Sequence, residues 1–498
     1  MQWPKATGVV AISLVLLACT ASAQPLAAGL ELWLDAGHGV ADSSGAIDSW
    51  TDRASGHVFT PHDPAARPVL VPGALGGRPV VSFGANPLKT GTADLGDGKT
   101  VFLVIAPDSL PGGSGQRYFG HYPDGQLRYN SGKVSGWFGH PSGNADSPDT
   151  AGVAPGEFAI HSYVFDGDVA IGVNGRSTIQ TLSRPGKFDT GNSLAVGGVG
   201  DGGGTFAGDI AEVQVYDSPL PAGDRSDVEW YLMCKWFDAR VRPHIPDADT
   251  AALYHLDETS GAAAADDSGN GLSLTAATSP LSGADGVVGI SAAAGPFASG
   301  SSELRRTLSA PEVALFDTEQ FTVEAWVRDP QLNFDHDGVF TYRDGGDSRF
   351  QFGVLGTAGR LALGIQRDDT GGYYNMQTGG LSWDEDNWYH IAVTYDANTD
   401  AANDSIVTFY QTPYGATDAI QVAQLFGQPD LAPLTAGGTL RLGAFDGIDN
   451  RAFGGWIDEV RYSNVVRSDF NLYIPEPATL TLLAFGGFGL LARRRRRA

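Results

Sequence analysis

Apolar runs of about four to eight residues recur along the chain, cut apart by glycine, aspartate, asparagine and proline, which is the punctuation of strands and turns. Thr100 to Ala106 (Thr-Val-Phe-Leu-Val-Ile-Ala) and Phe321 to Val327 are rich in apolar and β-branched residues and predict central strands. Arg360 to Gln366 alternates apolar with small or polar residues, which predicts a half-buried strand. One segment departs from this rhythm. From Asp224 to Phe237, Val228, Tyr231, Leu232 and Trp236 fall at helical spacing, with acids in the first turn and Lys235 late. A single amphipathic helix is expected there, with Cys234 on it as a packing residue.

The pattern occurs twice. Gly191-Asn-Ser-Leu194-Ala-Val-Gly197-Gly followed by Phe206-Ala-Gly208-Asp-Ile210-Ala-Glu212-Val213 is matched by Gly437-Gly-Thr-Leu440-Arg-Leu-Gly443-Ala followed by Phe453-Gly-Gly455-Trp-Ile457-Asp-Glu459-Val460. Residues 191 and 437 are 246 apart, and 206 and 453 are 247 apart, so the internal spacing is kept. The openings Leu32-Trp33-Leu34-Asp35 and Leu253-Tyr254-His255-Leu256-Asp257 also correspond, at an offset of about 221. The expected organisation is a leader at 1–23, a first domain at 24–240, a proline-containing linker at 241–249, a second domain at 250–474 and a tail at 475–498. Many short strands in each half must cover their apolar faces, which points to two-sheet sandwiches.

Composition narrows the class. Glycine counts 67 of 498 residues, and charged residues are only 18%, below the typical ~25%. Two cysteines, Cys19 and Cys234, exclude a disulfide framework. With 57 acidic against 32 basic residues the net charge is −25, which argues against nucleic acid as a partner. Lys5, the apolar run Val9 to Ala18 and Ala21-Ser22-Ala23 form the layout of a secretory signal with cleavage after Ala23. Leu16-Leu17-Ala18-Cys19 also resembles a bacterial lipobox, in which Cys19 would be lipidated. At the other end, Pro475-Glu476-Pro477 precedes an uncharged run from Ala478 to Ala492 and then Arg493, Arg494, Arg495, Arg496 and Arg497. The run is short beside the ~20 residues of a comfortable transmembrane helix, and the arginines would hold its end on the cytoplasmic face. Losing residues 1–23 and 478–498 removes six basic residues and no acid, leaving 26 against 57, or −31.

This tail resembles the PEP-CTERM sorting signal of Gram-negative bacteria. The resemblance implies that the protein is the substrate of an exosortase, a membrane-embedded cysteine protease. It further implies transient anchoring in the inner membrane and export to the cell envelope, outer surface or extracellular matrix. The body carries a second resemblance. Asp257-Glu258-Thr-Ser-Gly261, Asp267-Ser-Gly269-Asn270-Gly271, Phe321-Thr-Val-Glu-Ala-Trp326-Val327, Trp388-Tyr-His390-Ile-Ala-Val-Thr-Tyr395-Asp396 and Gly455-Trp-Ile457-Asp458-Glu459-Val460-Arg461 are similar to laminin-G-like, concanavalin A-like jelly rolls. The first half is similar through Leu32-Trp33-Leu34-Asp35-Ala36, Trp50-Thr-Asp52-Arg53-Ala-Ser-Gly56 and Gly77-Arg78-Pro79. The fold class so implied is all-β: two tandem antiparallel sandwiches, with one short helix closing the first.

Catalytic signatures are sparse. Retaining glycosidases place two carboxylates ~5 Å apart, and the Glu-x-Asp-x-x-Glu strand that supplies them does not occur. Asp384-Glu385-Asp386 reads as a solvated turn and His390 as a sheet histidine. Gly198 to Gly203 fits a dinucleotide pattern by letters but has no following helix, so a glycine hairpin is expected. Calcium is the cofactor that acidic turns admit, since hard cations need several oxygens. Asp396-Ala-Asn398-Thr-Asp400 lacks the glycine and glutamate of an EF-hand and reads as a polar hairpin. By resemblance to metal-bearing members of the fold, Asp458 would be the ligand, joined by the Asp267/Asn270 turn. Ala211 stands at the matching position in the first half.

For ligand recognition, Tyr373, Tyr374 and Trp383 form the most aromatic stretch outside the repeated motifs, and aromatic faces stack on sugar rings. The expectation is a non-catalytic exported protein of the cell surface or matrix that binds extracellular polysaccharide or a surface protein. The alternative is a polysaccharide-active hydrolase or lyase, or its carbohydrate-binding accessory.

Overall fold

The computed structural model describes residues 25–472 except 85, 94, 97, 111–113, 122–124, 138–143, 147–152, 167, 175, 181–192, 200–205, 259–260, 289–291, 298–301, 329–336, 345–348, 369–371, 398–403, 446–450, 469 and 471. The glycine hairpin at 198–203 and the Asp396 to Asp400 turn therefore fall partly outside the described residues, as do Ala23, Pro475, Glu476, Pro477 and the five arginines. Among the described residues, no helix is long and apolar enough to cross a membrane.

Strand Ala207–Tyr216 organises the first half. Thr100–Pro107 pairs along one side of it, while Arg78–Gly84 and Leu30–Asp35 share the other side end to end. Ala159–Asp166, Asp168–Val173 and Arg176–Gln180 extend the sheet beyond Thr100–Pro107. In the second half Trp456–Ser463 takes the same place. It is flanked by Gln320–Arg328 on one side and by Thr250–Tyr254 and Ala292–Ala294 on the other, with Trp388–Asp396, Ser405–Pro413 and Gln421–Gln428 continuing outward. We call these the inner sheets.

Each inner sheet is backed by an outer sheet. In the first half, Ser193–Val196 lies between Leu88–Thr92 and Ser114–Gly120, followed by Gln126–Asn130, Lys133–Trp137 and Asn144–Asp146. In the second, Thr439–Leu442 lies between Leu304–Thr307 and Asp337–Arg343, followed by Arg349–Leu355, Arg360–Gln366 and Tyr373–Gln377. All these pairings are antiparallel, so both halves are all-β sandwiches with the same strand order.

The repeated glycines have a shared reason. Gly197 and Gly443 have φ of +75° and +81°, and a Cβ on either would lie 2.0 or 2.2 Å from the ring of Phe83 or Phe297. Only glycine suits both the backbone and the ring approach. A second shared device is a turn aspartate. Asp52 accepts the Trp33 N–H at 2.6 Å and the Ala54 and Ser55 N–H groups at 2.9 Å; Asp266 accepts Leu253 N–H at 3.1 Å, Ser268 N–H at 3.1 Å and Leu272 N–H at 2.8 Å. These bonds set Trp33 opposite Leu253 in the comparison of halves, one residue away from the alignment of the openings by sequence. A slip of one residue exchanges the two faces of a strand. Tyr254 thus fills the core place of Leu34, and His255 takes the place of Asp35.

The helix spans Ala222–Phe237 and ends on Asp238, whose φ of 56° is left-handed and whose N–H donates to the Met233 carbonyl. Val228, Tyr231, Leu232 and Trp236 are buried against the first inner sheet. A one-turn helix, Ala310–Val313, also occurs in the second half. The covered face explains why all eight positions of Thr100–Pro107 are buried: one side meets the core and the other meets the helix. Arg360–Gln366 is similarly buried at six of its seven positions, not half-exposed, with Tyr373 laid over Gly364 on its outward side. The first core continues into Val287, Val288, Ala293 and Trp326 of the second half, so the two sandwiches share an apolar junction.

Charge locks the helix down. Glu212, 1% exposed, accepts from the indole N–H groups of Trp33 at 2.7 Å and Trp236 at 2.6 Å, and from Gln214 Nε2 at 2.7 Å. Lys235 Nζ reaches both Glu212 Oε2 at 2.6 Å and Asp35 Oδ2 at 2.9 Å. Lys235→Met leaves buried Glu212 without its cation, and Asp35 with Arg53 still 3.1 Å away, and is expected to destabilise the protein by about 3–5 kcal/mol. Urea denaturation of the exported protein measures this; an unchanged midpoint contradicts the assignment.

Candidate functional site

Strand alternation decides what the second outer sheet presents. Leu304, Leu440, Leu442, Phe340, Tyr342, Phe350, Phe352, Leu363 and Ile365 point into the core, so their neighbours face away from it. Register then aligns one file across the outward face: Thr275, Arg305, Arg441, Thr341, Gln351, Gly364 and Asn375, each opposite the next. Every member is polar or glycine. Thr341 Oγ1 donates to the Ala444 carbonyl at 3.0 Å and Gln351 Nε2 to the Phe445 carbonyl at 3.3 Å, so this segment crosses the middle of the face. Beyond it Tyr373 lays its hydroxyl over Gly364, where a Cβ would approach it to 2.1 Å.

Several side-chain amide atoms on this sheet find no hydrogen-bond partner among the described residues. They are Gln351 Oε1, both amide atoms of Gln366, and Asn375 Oδ1. Gln351 is 1% and Gln366 3% exposed. Buried amides are normally hydrogen-bonded, so a cluster of orphans on one face is a feature to be explained. Asp337, on the second strand of the file's centre, is 2% exposed, and burial pushes its carboxyl up to about 7.

The residues singled out by sequence are dispersed. Tyr373 and Tyr374 are 39% and 37% exposed on the edge strand, and as consecutive residues they point to opposite faces. The Arg367 guanidinium lies 5.6 Å from the Tyr374 ring. Trp383 donates its indole N–H to the Gly359 carbonyl at 2.8 Å and packs edge-on against Tyr389 with ring centroids 5.1 Å apart. Asp458 is fully buried, its two oxygens accepting the N–H groups of Val287 at 2.7 Å and Glu459 at 2.9 Å. Burial, then the nearby Glu459 and Asp257 carboxylates, push its pKa well up. Asp267 lies 3.9 Å from His255, and Asn270 Nδ2 donates to the Thr250 and Ala251 carbonyls. Among the described residues, no group of three or more His, Cys, Asp or Glu is placed to hold a metal ion. Asp384, Glu385 and Asp386 are exposed in a turn.

His390 is a sheet histidine inside an ion cluster that sequence did not reveal. Glu324, fully buried, receives Arg461 Nε at 2.8 Å and lies 3.0 Å from His390 Nε2; His244 of the linker stands 3.6 Å away. Glu459 accepts the His244 N–H at 2.8 Å and pairs with His255 at 2.8 Å. Burial disfavours the His255 charge, but Glu459, with Asp257 and Asp267 beyond it, outweighs this and lifts the imidazole to about 10. Beside this cluster a cleft of about 290 Å³ opens between helix, linker and second domain. It sits at the small end of ligand pockets, and several of its charged side chains pair with one another.

Residues 305–470 match the family model of the concanavalin A-like lectin/glucanases superfamily, and residues 474–497 match the PEP-CTERM protein-sorting motif. The chain therefore carries a concanavalin A-like domain and a sorting motif that implies export. No curated protein matches it. Among solved structures, it is similar to the CBM40 of Ruminococcus gnavus IT-sialidase at 17% identity, covering 35% of this chain and 91% of that one, with a TM-score of 0.27. Domain 4 of AbnA, a GH43 extracellular arabinanase from Geobacillus stearothermophilus in complex with arabinotriose, is 20% identical over 46% of this chain and 94% of that one, with a TM-score of 0.28. Mouse laminin alpha1 domains LG4-5 are 12% identical over 82% of this chain and 91% of that one, with a TM-score of 0.27. None of the three bears on this protein's ligand.

The raised Asp337 carboxyl has a measurable sign. Unfolded, it ionises near ~3.9; folded, it holds its proton to about 7. Between those values the unfolded chain has lost a proton that the folded one keeps, so this group lowers stability as pH rises. Asp337→Asn is expected to flatten that part of the profile and to raise the melting temperature at pH 8. Thermal melts of both proteins across pH 4–8 check it; identical profiles contradict it.

Proposed function

We propose that the exported protein is a non-catalytic polysaccharide-binding protein of the cell surface or matrix, and that it binds through the outward face of the second outer sheet. The observation that carries the reading is the set of side-chain amide atoms on this face, Gln351 Oε1, both amide atoms of Gln366 and Asn375 Oδ1, that find no hydrogen-bond partner among the described residues, next to the half-exposed Tyr373. Sugar hydroxyls both donate and accept, so they satisfy amides of either sense, while a tyrosine face covers the apolar side of a ring. The sorting motif supports the setting, since an exported chain meets extracellular polymers. In this reading the C-terminal motif engages an exosortase, and the following apolar segment pauses in the membrane while it does so.

The reading predicts opposite effects on stability and on binding. An unpartnered buried amide costs about 1–3 kcal/mol, so Gln366→Met should leave stability unchanged or raise it. The same change should weaken binding to a soluble glycan mixture by several-fold, as should Tyr373→Ala, which removes about 0.5–1.5 kcal/mol of aromatic contact. Denaturant midpoints and glycan pull-downs on the same preparations measure both. Undiminished binding by both variants contradicts the proposed face, and release of reducing ends from a bound glycan contradicts the non-catalytic assignment.

A further inference from the structure

The last folded stretch of the chain runs back over the inner sheet of the second domain. Just after Trp456–Ser463 it is pinned to the linker. Asn464 N–H donates to the Asp249 carbonyl at 2.8 Å, and the Arg467 guanidinium reaches both oxygens of Asp247, at 2.7 and 2.8 Å. Thr322 of the sheet takes part twice, its Oγ1 donating to the Val465 carbonyl at 2.7 Å and accepting the Arg467 N–H at 2.9 Å. Beyond these bonds the Phe470 ring lies against His390 and Tyr410, with centroids 5.0 Å from each. Leu472, the last described residue, is 9% exposed and shares its apolar cluster with Val228, Leu232 and Trp236 of the helix; Phe470 packs against the same cluster. The chain therefore leaves the fold from the apolar junction of the two sandwiches.

The sorting motif follows at once. Pro475 comes three residues after Leu472, and the apolar run opens at Ala478, six residues after it. At no more than about 3.6 Å per residue, these spans reach at most ~11 Å and ~22 Å. A membrane-embedded protease that takes Pro475-Glu476-Pro477 while the apolar run lies in the bilayer must therefore work against the folded body itself. Residues packed into a fold are not free to lie extended in a protease cleft, so cutting follows the population of the locally opened form. The weak point of this segment is its end: Arg467 is held by charge-assisted bonds, Phe470 by ring contacts. Release of Phe470 and Leu472 alone frees residues 468–472 and lengthens the reach of the tail by about 18 Å.

We propose that the docking of Phe470 and Leu472 at the junction is an autoinhibitory clasp on the chain's own processing, and that the sorting protease acts on the form in which these two residues have come away. This rests on the reading of the tail as an exosortase substrate and adds the step that controls access to it. The clasp has no chemistry of its own. It sets the fraction of chains that present an extended motif, and the apparent affinity of the protease scales with that fraction. Because the cluster that receives Leu472 draws on both domains, whatever parts the domains also frees the tail.

The test follows the full-length precursor in a Gram-negative host that carries an exosortase, with pulse-chase of its conversion to the processed form. Phe470→Ala removes both ring contacts and is expected to speed conversion roughly two- to tenfold. Tyr410→Leu, on the sheet side of the same contact, should act alike. A flexible spacer of about six Gly and Ser residues between Ile474 and Pro475 supplies the missing reach with the clasp intact. It should speed conversion by itself, and Phe470→Ala should then add nothing. General destabilisation of the fold would instead speed the parent and the spacer chain alike, so equal acceleration of both by Phe470→Ala overturns the clasp. Unchanged or slower conversion of the Phe470→Ala chain overturns it too. A parent chain that is never converted overturns the exosortase reading and the clasp with it, and leaves the polysaccharide reading standing.

Discussion

Buried carboxylates govern this architecture. Glu212 and Glu324 each sit on an inner sheet, facing away from the sandwich core, at a depth where an ionised group is stable only if it is hydrogen-bonded and paired. Each recruits a cover. Glu212 takes the indole of Trp236 and the ammonium of Lys235 from the helix; Glu324 takes Arg461 and His390 from its own sheet, with the linker's His244 beside them. His244 also gives its N–H to Glu459. The inner faces are therefore closed by helix, linker and junction.

Closing the inner faces decides what is left outside. The outer sheets face away from the junction. The second of them bears a file of hydrogen-bonding side chains with several unsatisfied amides. In the proposed reading, stability and recognition fall to opposite sheets of the same sandwich.

Much of the fold was legible in the sequence. Strand runs, the helix and the duplication follow from periodicity and turn residues, and Gly197 and Gly443 kept their places because Phe83 and Phe297 press on them. The opening strands were misaligned by one residue, since only the bonds of Asp52 and Asp266 fix which strand face turns inward. The site was far less legible. Phe321 to Val327 reads as an apolar core strand, yet Glu324 within it meets partners 66 and 137 residues away. Trp383 has the composition of a binding aromatic, but its indole N–H is bonded to Gly359 and its ring packs on Tyr389.

Hydrogen–deuterium exchange of the exported protein, with and without a soluble glycan mixture, tests the division of labour most directly. The account predicts added protection in Leu304–Thr307, Asp337–Arg343, Arg360–Gln366 and Thr439–Leu442, and none in Gln320–Arg328 or Trp456–Ser463. Protection confined to the helix, the linker and the inner strands would contradict it, placing the ligand at the junction instead.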